Sequence, residues 1–138
     1  MRRTILTALI WVALGGAAQA EKVGYQCAIT GALDGQWIQP LIFIAIDRKT
    51  DRVIVSDAAI LVFNDGVPVD GRVIKENAAR ITFGWQVEMQ SSANQRVKMD
   101  YRATYVKSSG KVNVSAHPRG YEGFFNRGGT CKVKPLQG

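Results

Sequence analysis

Along Ile81-Thr82-Phe83-Gly84-Trp85-Gln86-Val87-Glu88-Met89, every odd position is apolar and every even position is polar or glycine. Successive side chains of a strand point to opposite faces, so this spacing sets Ile81, Phe83, Trp85, Val87 and Met89 on one side of a sheet. A helix would scatter the same residues around its circumference. Val97, Met99, Tyr101, Ala103 and Tyr105 repeat the pattern, as do Val23, Tyr25, Cys27 and Ile29 near the start and Val112, Val114 and Ala116 further on. These segments predict half-buried antiparallel strands.

Residues 41–46 form a continuous apolar run after Pro40, read as a more buried strand that ends at the turn-like Asp47-Arg48-Lys49-Thr50-Asp51. Shorter strands are expected over 53–56, 59–63, 72–75 and 130–134, with Asn64-Asp65-Gly66 and Asp70-Gly71 as turns. No amphipathic helix is expected after residue 20. Eight or nine strands spaced by about ten residues predict an all-β domain. Short connections between sequence neighbours favour a small antiparallel up-and-down barrel of about eight strands, with a β-sandwich as the alternative.

Parity fixes the pairing further, because a one-residue slip turns a whole apolar set to the wrong face. The strand at 81–89 is expected to meet the next with Glu88 opposite Lys98 and Gln86 opposite Asp100. If Lys107-Ser108-Ser109-Gly110 is a four-residue loop, the following hairpin sets Arg102 opposite Ser115 and Asp100 opposite His117.

Residues 1–20 read as an export signal rather than as structure. Arg2 and Arg3 supply positive charge, residues 5–14 an apolar stretch too short to cross a bilayer, and Ala18-Gln19-Ala20 a cleavage site of small-x-small type. The expected domain is therefore 21–138, in the periplasm or secreted. In an oxidising compartment Cys27 and Cys131, the two cysteines of the chain, are expected to pair as a structural staple.

Charge is unevenly distributed. Residues 21–88 hold seven Lys/Arg and nine Asp/Glu, whereas 89–138 hold nine Lys/Arg and two Asp/Glu, which favours an anionic partner for the second part. Arg96, Lys98, Arg102 and Lys111 are expected to share an outer face, with Lys107 on its turn. Residues 118–129, with Arg119, Tyr121, Phe124, Phe125 and Arg127 among glycines, read as a long connection suited to contact a partner. The alternative is that Phe124 and Phe125 plug one end of the barrel. His117, the single histidine, beside Asp100 has the orienting half of many acid-base sites, with Ser115 two residues away, but no further catalytic motif accompanies it. One histidine and two paired cysteines disfavour zinc, and the basic residues around Asp47 and Asp51 disfavour calcium. No metal or other cofactor is expected.

Gly35-Gln36-Trp37 resembles the Gly-x-Trp near the start of lipocalins, and Asp100-Tyr101 resembles part of their Thr-Asp-Tyr motif, with Met99 in place of the threonine. That resemblance implies a barrel carrying a hydrophobic small molecule. The chain is shorter than a usual lipocalin and lacks the expected C-terminal helix pattern. Paired terminal cysteines in an exported barrel resemble the general plan of bacterial periplasmic lysozyme inhibitors, although their signature residues are not found here. The expectation is thus a non-catalytic binding or inhibitory module for a protein or an anionic envelope component. A lipocalin-like carrier is the first alternative and a cell-envelope hydrolase the second; nucleic acid is not an expected partner, and no membrane span is expected after signal cleavage.

Overall fold

The computed structural model describes residues 21–33 and 36–137. The export segment expected over 1–20, and Gly35 of the Gly-x-Trp fragment, lie outside the described residues. Eight strands wind into a closed antiparallel barrel: β1 (Lys22–Ile29), β2 (Leu41–Asp47), β3 (Arg52–Asp57), β4 (Val69–Glu76), β5 (Arg80–Gln90), β6 (Arg96–Val106), β7 (Lys111–Pro118) and β8 (Phe125–Leu136). Each strand pairs with its chain neighbours, and β8 closes on β1. This is the expected up-and-down barrel, not a sandwich.

Alternation decides what fills it. Ile81, Phe83, Trp85, Val87 and Met89 of β5 are buried, as are Val97, Met99, Tyr101 and Ala103 of β6. Trp85 stacks on Tyr101 with ring centroids 5.4 Å apart, and Tyr25 meets Phe83 and Tyr105 edge-on at 5.1 Å each. Eight strands enclose a lumen just wide enough for such side chains to occupy.

Asp70-Gly71, expected as a turn, lies inside β4 and pairs with Ile54 and Val53 of β3. Two longer segments also depart from expectation. Residues 59–63, expected as a strand, belong to a helix, α1 (Ala58–Phe63). Asp57 starts it: its backbone is extended, and its carboxylate accepts a hydrogen bond from the Ile60 N–H at 2.8 Å, satisfying a donor that the first turn leaves free. Burial pushes the Asp57 carboxyl above its usual range, against the pull of bonds from Ile60 and Ala59. The helix buries Ala59 and Ile60 and leaves Leu61, Val62 and Phe63 exposed.

The second departure is β8, which begins at Phe125 rather than near 130. Gly129 is the reason the pairing can extend so far. A Cβ there would lie 2.2 Å from the Ala28 carbonyl oxygen, so only glycine lets β8 lie this close to β1. The connection expected over 118–129 shrinks to residues 119–124.

The two ends of the barrel differ. At one, the β2–β3, β4–β5 and β6–β7 turns converge, and a charged cluster ties them together. Arg48 donates two hydrogen bonds to the Glu76 carboxylate, at 2.6 and 2.8 Å, and Lys107 donates a third at 2.9 Å. The Arg48 guanidinium, with help from Lys107, lowers the Glu76 carboxyl from its ordinary 4.5 to about 2, against a smaller opposing effect of burial. A carboxylate depressed on folding contributes stability above its unfolded value, and loses it as pH falls through the folded value. Urea midpoints should therefore fall between pH 4.5 and pH 2 by a smaller amount in Arg48→Gln than in the parent. An identical acid profile in the two proteins would show that this cluster does not control the response.

Candidate functional site

The opposite end, here the mouth, gathers residues 30–33 and 36–40, α1 with the segment that follows it, the β5–β6 turn and the β7–β8 connection. Trp37 stands half-buried at its centre, its backbone carbonyl accepting a hydrogen bond from the Tyr101 hydroxyl at 2.6 Å. Burial raises the Tyr101 hydroxyl above its ordinary value, which keeps it a donor. Gln39 is buried beneath and donates from Nε2 to the Gln36 carbonyl at 2.6 Å. These bonds hold an irregular segment over the barrel opening.

Grooves flank Trp37 on two sides. One, of about 340 Å³, is lined by Gln36, Trp37, Ile38, Phe125 and Arg127, with the Trp37 and Phe125 rings 6.4 Å apart. The other, of about 550 Å³, runs from Trp37 to Val62 and Phe63 of α1 and to Met89 and Ser92. Around them Leu33, Val62, Phe63, Tyr121, Phe124 and Phe125 are exposed, Val62 and Phe124 to more than two thirds. Phe124 and Phe125 therefore do not plug the barrel. They face outward on its rim, because β8 carries Phe125 to the edge of the sheet, while Trp37, Ile38 and Gln39 cover the opening.

The β7–β8 connection that displays Phe124 is held in place. Gly120 and Gly123 adopt φ of 79° and 91°, which side chains resist. The Arg119 N–H donates to the Lys98 carbonyl at 2.9 Å, the Tyr121 hydroxyl reaches Gln95 Oε1 at 3.4 Å, and the His117 Nδ1–H donates to the Gly123 carbonyl at 2.8 Å.

Both expected registers are present: Glu88 faces Lys98, Gln86 faces Asp100, Asp100 faces His117 and Arg102 faces Ser115. Adjacency does not join the histidine to the carboxylate, however. Asp100 accepts from Arg119 Nε at 2.8 Å, and the imidazole turns to Gly123 instead. The charge-bearing side chain thus prefers the guanidinium brought over by its own loop.

The four cations expected on one outer face are divided, and Lys107 lies on the turn as expected. Arg96, Lys98 and Arg102 lie along the outside of β6, and Arg96 approaches Glu88 at 3.8 Å with both side chains largely exposed, a contact of little energy. Lys111 opens β7 at the turn end, roughly 30 Å from Arg96 at the rise of a strand. Lys107 is exposed and bound to Glu76 in the turn-end cluster. Arg127 differs from all of these: it lines an aromatic groove, and among the described residues no carboxylate pairs with it.

Sequence reasoning placed Phe125, Arg127, Tyr121 and Phe124 among the contact residues but did not assign Trp37, Val62, Phe63 or Met89 to the site. Trp37 stood out in the sequence only within the Gly35-Gln36-Trp37 fragment that resembles lipocalins, and not as a contact residue. Among the described residues, no group of three or more His, Cys, Asp or Glu side chains could hold a metal ion. The arrangement suits non-covalent capture, with apolar walls for an aromatic or aliphatic group and Arg127 for an anionic one.

The fold and the bridge between Cys27 and Cys131 define a small disulfide-linked β-barrel protein. No protein-family model matches the chain, and neither a curated protein nor a solved structure matches it. The two fragments that resemble lipocalin motifs meet in space through the Tyr101–Trp37 hydrogen bond, and that contact assigns no family.

Proposed function

We propose that this protein is an exported, non-catalytic binding or inhibitory module that engages a protein partner through the mouth of its barrel. The observation that carries the reading is the rim itself: Phe125 exposed beside Trp37, Arg127 in the same groove with no carboxylate partner among the described residues, and Tyr121 and Phe124 exposed on the connection that leads into β8. Contiguous exposed apolar patches mark interaction sites, and Trp, Tyr and Arg dominate binding energy where they cluster. Export to the periplasm or the exterior is supported by the signal-like first twenty residues and the disulfide, and among the described residues no helix is long and apolar enough to cross a membrane.

A carrier would need room in the lumen, and Phe83, Trp85 and Met99 occupy it. A hydrolase built on His117 would need Asp100 to orient the ring, and Asp100 is committed to Arg119. An anionic envelope component is a second reading, favoured by the excess of Lys/Arg after residue 88. Salt separates these readings, since screening weakens exposed charge contacts far more than buried apolar ones.

Phe124→Ser with Tyr121→Ser should weaken retention of the envelope partner at least tenfold, the loss expected on removing two apolar anchors at about 1 kcal/mol or more each. Far-ultraviolet circular dichroism and the urea midpoint should stay close to the parent, because both side chains are exposed. Undiminished capture by this double variant in envelope extracts, at both low and high salt, would remove the mouth from consideration.

A further inference from the structure

Away from the mouth, on the outer wall of β8, β1, β2 and β3, lies a groove that the reading above does not use. It has a volume of about 310 Å³, and its lining is almost entirely apolar on one side and cationic on the other. The register explains how it forms. Gly24 sits between Ala45 of β2 and Lys134 of β8, and Gln26 between Phe43 and Lys132, while Ala45 faces Ile54 of β3. The floor is low because Gly24 has no side chain and Ala45 a short one. Leu136 folds over it from the end of β8, and a Cβ on Gly24 would come within 3.0 Å of the Leu136 side chain. Phe43, 44% exposed, and Ile54 form the opposite wall.

We propose that this groove is a binding site for a single-tailed anionic amphiphile, its acyl or alkyl chain lying across β1, β2 and β3 and its acid group held by Lys132 and Lys134. Charge complementarity fixes the class of occupant. Both lysines line the groove, neither has an ion-pair partner among the described residues, and no Asp or Glu lines it. The polarity is one-directional, with cations on β8 and large apolar groups on β2 and β3. Three strand spacings give a width of roughly 14 Å, enough for a medium-length chain across the wall. Gln26 and Ser56 are the other polar groups at the edge. The site is separate from both the mouth and the filled lumen, so its failure leaves the protein-binding reading intact.

Dodecanoate, kept below its micellar concentration, is the probe, titrated into the oxidised protein and followed by amide NMR shifts. Gly24, Ala45 and Ile54 should shift together, while Trp37 and Phe125 at the mouth do not. Lys132→Gln with Lys134→Gln should weaken dodecanoate at least tenfold but leave neutral dodecyl maltoside within about twofold. Ala45→Trp, which fills the groove from an outward position, should abolish both. No saturable shift in the parent, or dodecanoate affinity unchanged by both sets of substitutions, would overturn the proposal. So would sedimentation showing that this face is covered by a second copy. Binding to phosphatidylglycerol vesicles without any binding of monomeric dodecanoate would also refute it, by assigning the face to a bilayer surface.

Discussion

Removing the Cys27–Cys131 bridge is expected to destabilise the protein by about 4–5 kcal/mol, the loop-closure entropy of a cross-link of this span. The two cysteines face each other directly across the β1–β8 seam and are separated by 104 residues, so the bond joins the first strand to the last. In the unfolded chain it forbids most of the conformations that would otherwise oppose closure. Cys27 is also fully buried, so its replacement by alanine adds a small packing loss. Cys27→Ala with Cys131→Ala should lower the thermal midpoint by on the order of 15 °C and steepen the denaturant dependence, because the unfolded chain without the bridge is less compact and exposes more surface. Thiol titration of the undenatured, oxidised protein should find no free cysteine. Two titratable thiols, or a double variant as stable as the parent, would contradict this account of the seam.

Gly129→Ala should have an effect of similar size for a different reason. Its Cβ would lie 2.2 Å from the Ala28 oxygen and 3.0 Å from both the Ala28 carbonyl carbon and the Ile29 Cα. These are backbone atoms held in the β1–β8 ladder, so no rotamer change relieves the clash and the strands must part. A cost of about 3 kcal/mol or more is expected, at the upper end of what overpacking produces. Gly128→Ala is the control, since its Cβ would approach nothing closer than 3.9 Å. It should change the unfolding free energy, read from urea titration, by less than about 1 kcal/mol. Equal losses from the two substitutions would show that glycine is needed here for flexibility and not for close approach.

These two positions also show what could be read before the structure was known. Wherever one face of a strand is apolar and the other polar, parity carried the reading through to individual residue pairs, as with Asp100 and His117. It failed where the sheet has no such contrast. Phe125-Asn126-Arg127-Gly128-Gly129 looks like a loop because it is rich in glycine, yet glycine is what the tight β1–β8 approach requires. Residues 58–63 are apolar throughout, so periodicity cannot separate a buried strand from a short helix, and the deciding clue was Asp57 immediately before them.

The candidate site was legible in part. Its β8 residues and Tyr121 stood out by composition, whereas the grooves depend on where residues 36–39 and α1 come to rest, which alternation does not specify. Pairings between side chains were harder still. Asp100 and His117 are neighbours as expected, but the choice of Arg119 over the imidazole follows from the path of the β7–β8 connection. Lys107 lies on its turn as expected, but its partner Glu76 is distant in sequence and meets it only because three turns converge.

The most direct test of the mouth as the working surface is photo-crosslinking in cells that export the protein. A photoreactive amino acid would replace Phe124 or Val62 on the rim, or Ser109 and Thr50 in the turns at the opposite end. All four sites are exposed, so each probe is equally able to react with what lies near it. The account predicts a discrete crosslinked protein from positions 124 and 62, competed away by excess unlabelled parent, and none from positions 109 and 50. A discrete partner captured from 109 and 50, with none from 124 and 62, would contradict it and move the binding surface to the other end of the barrel.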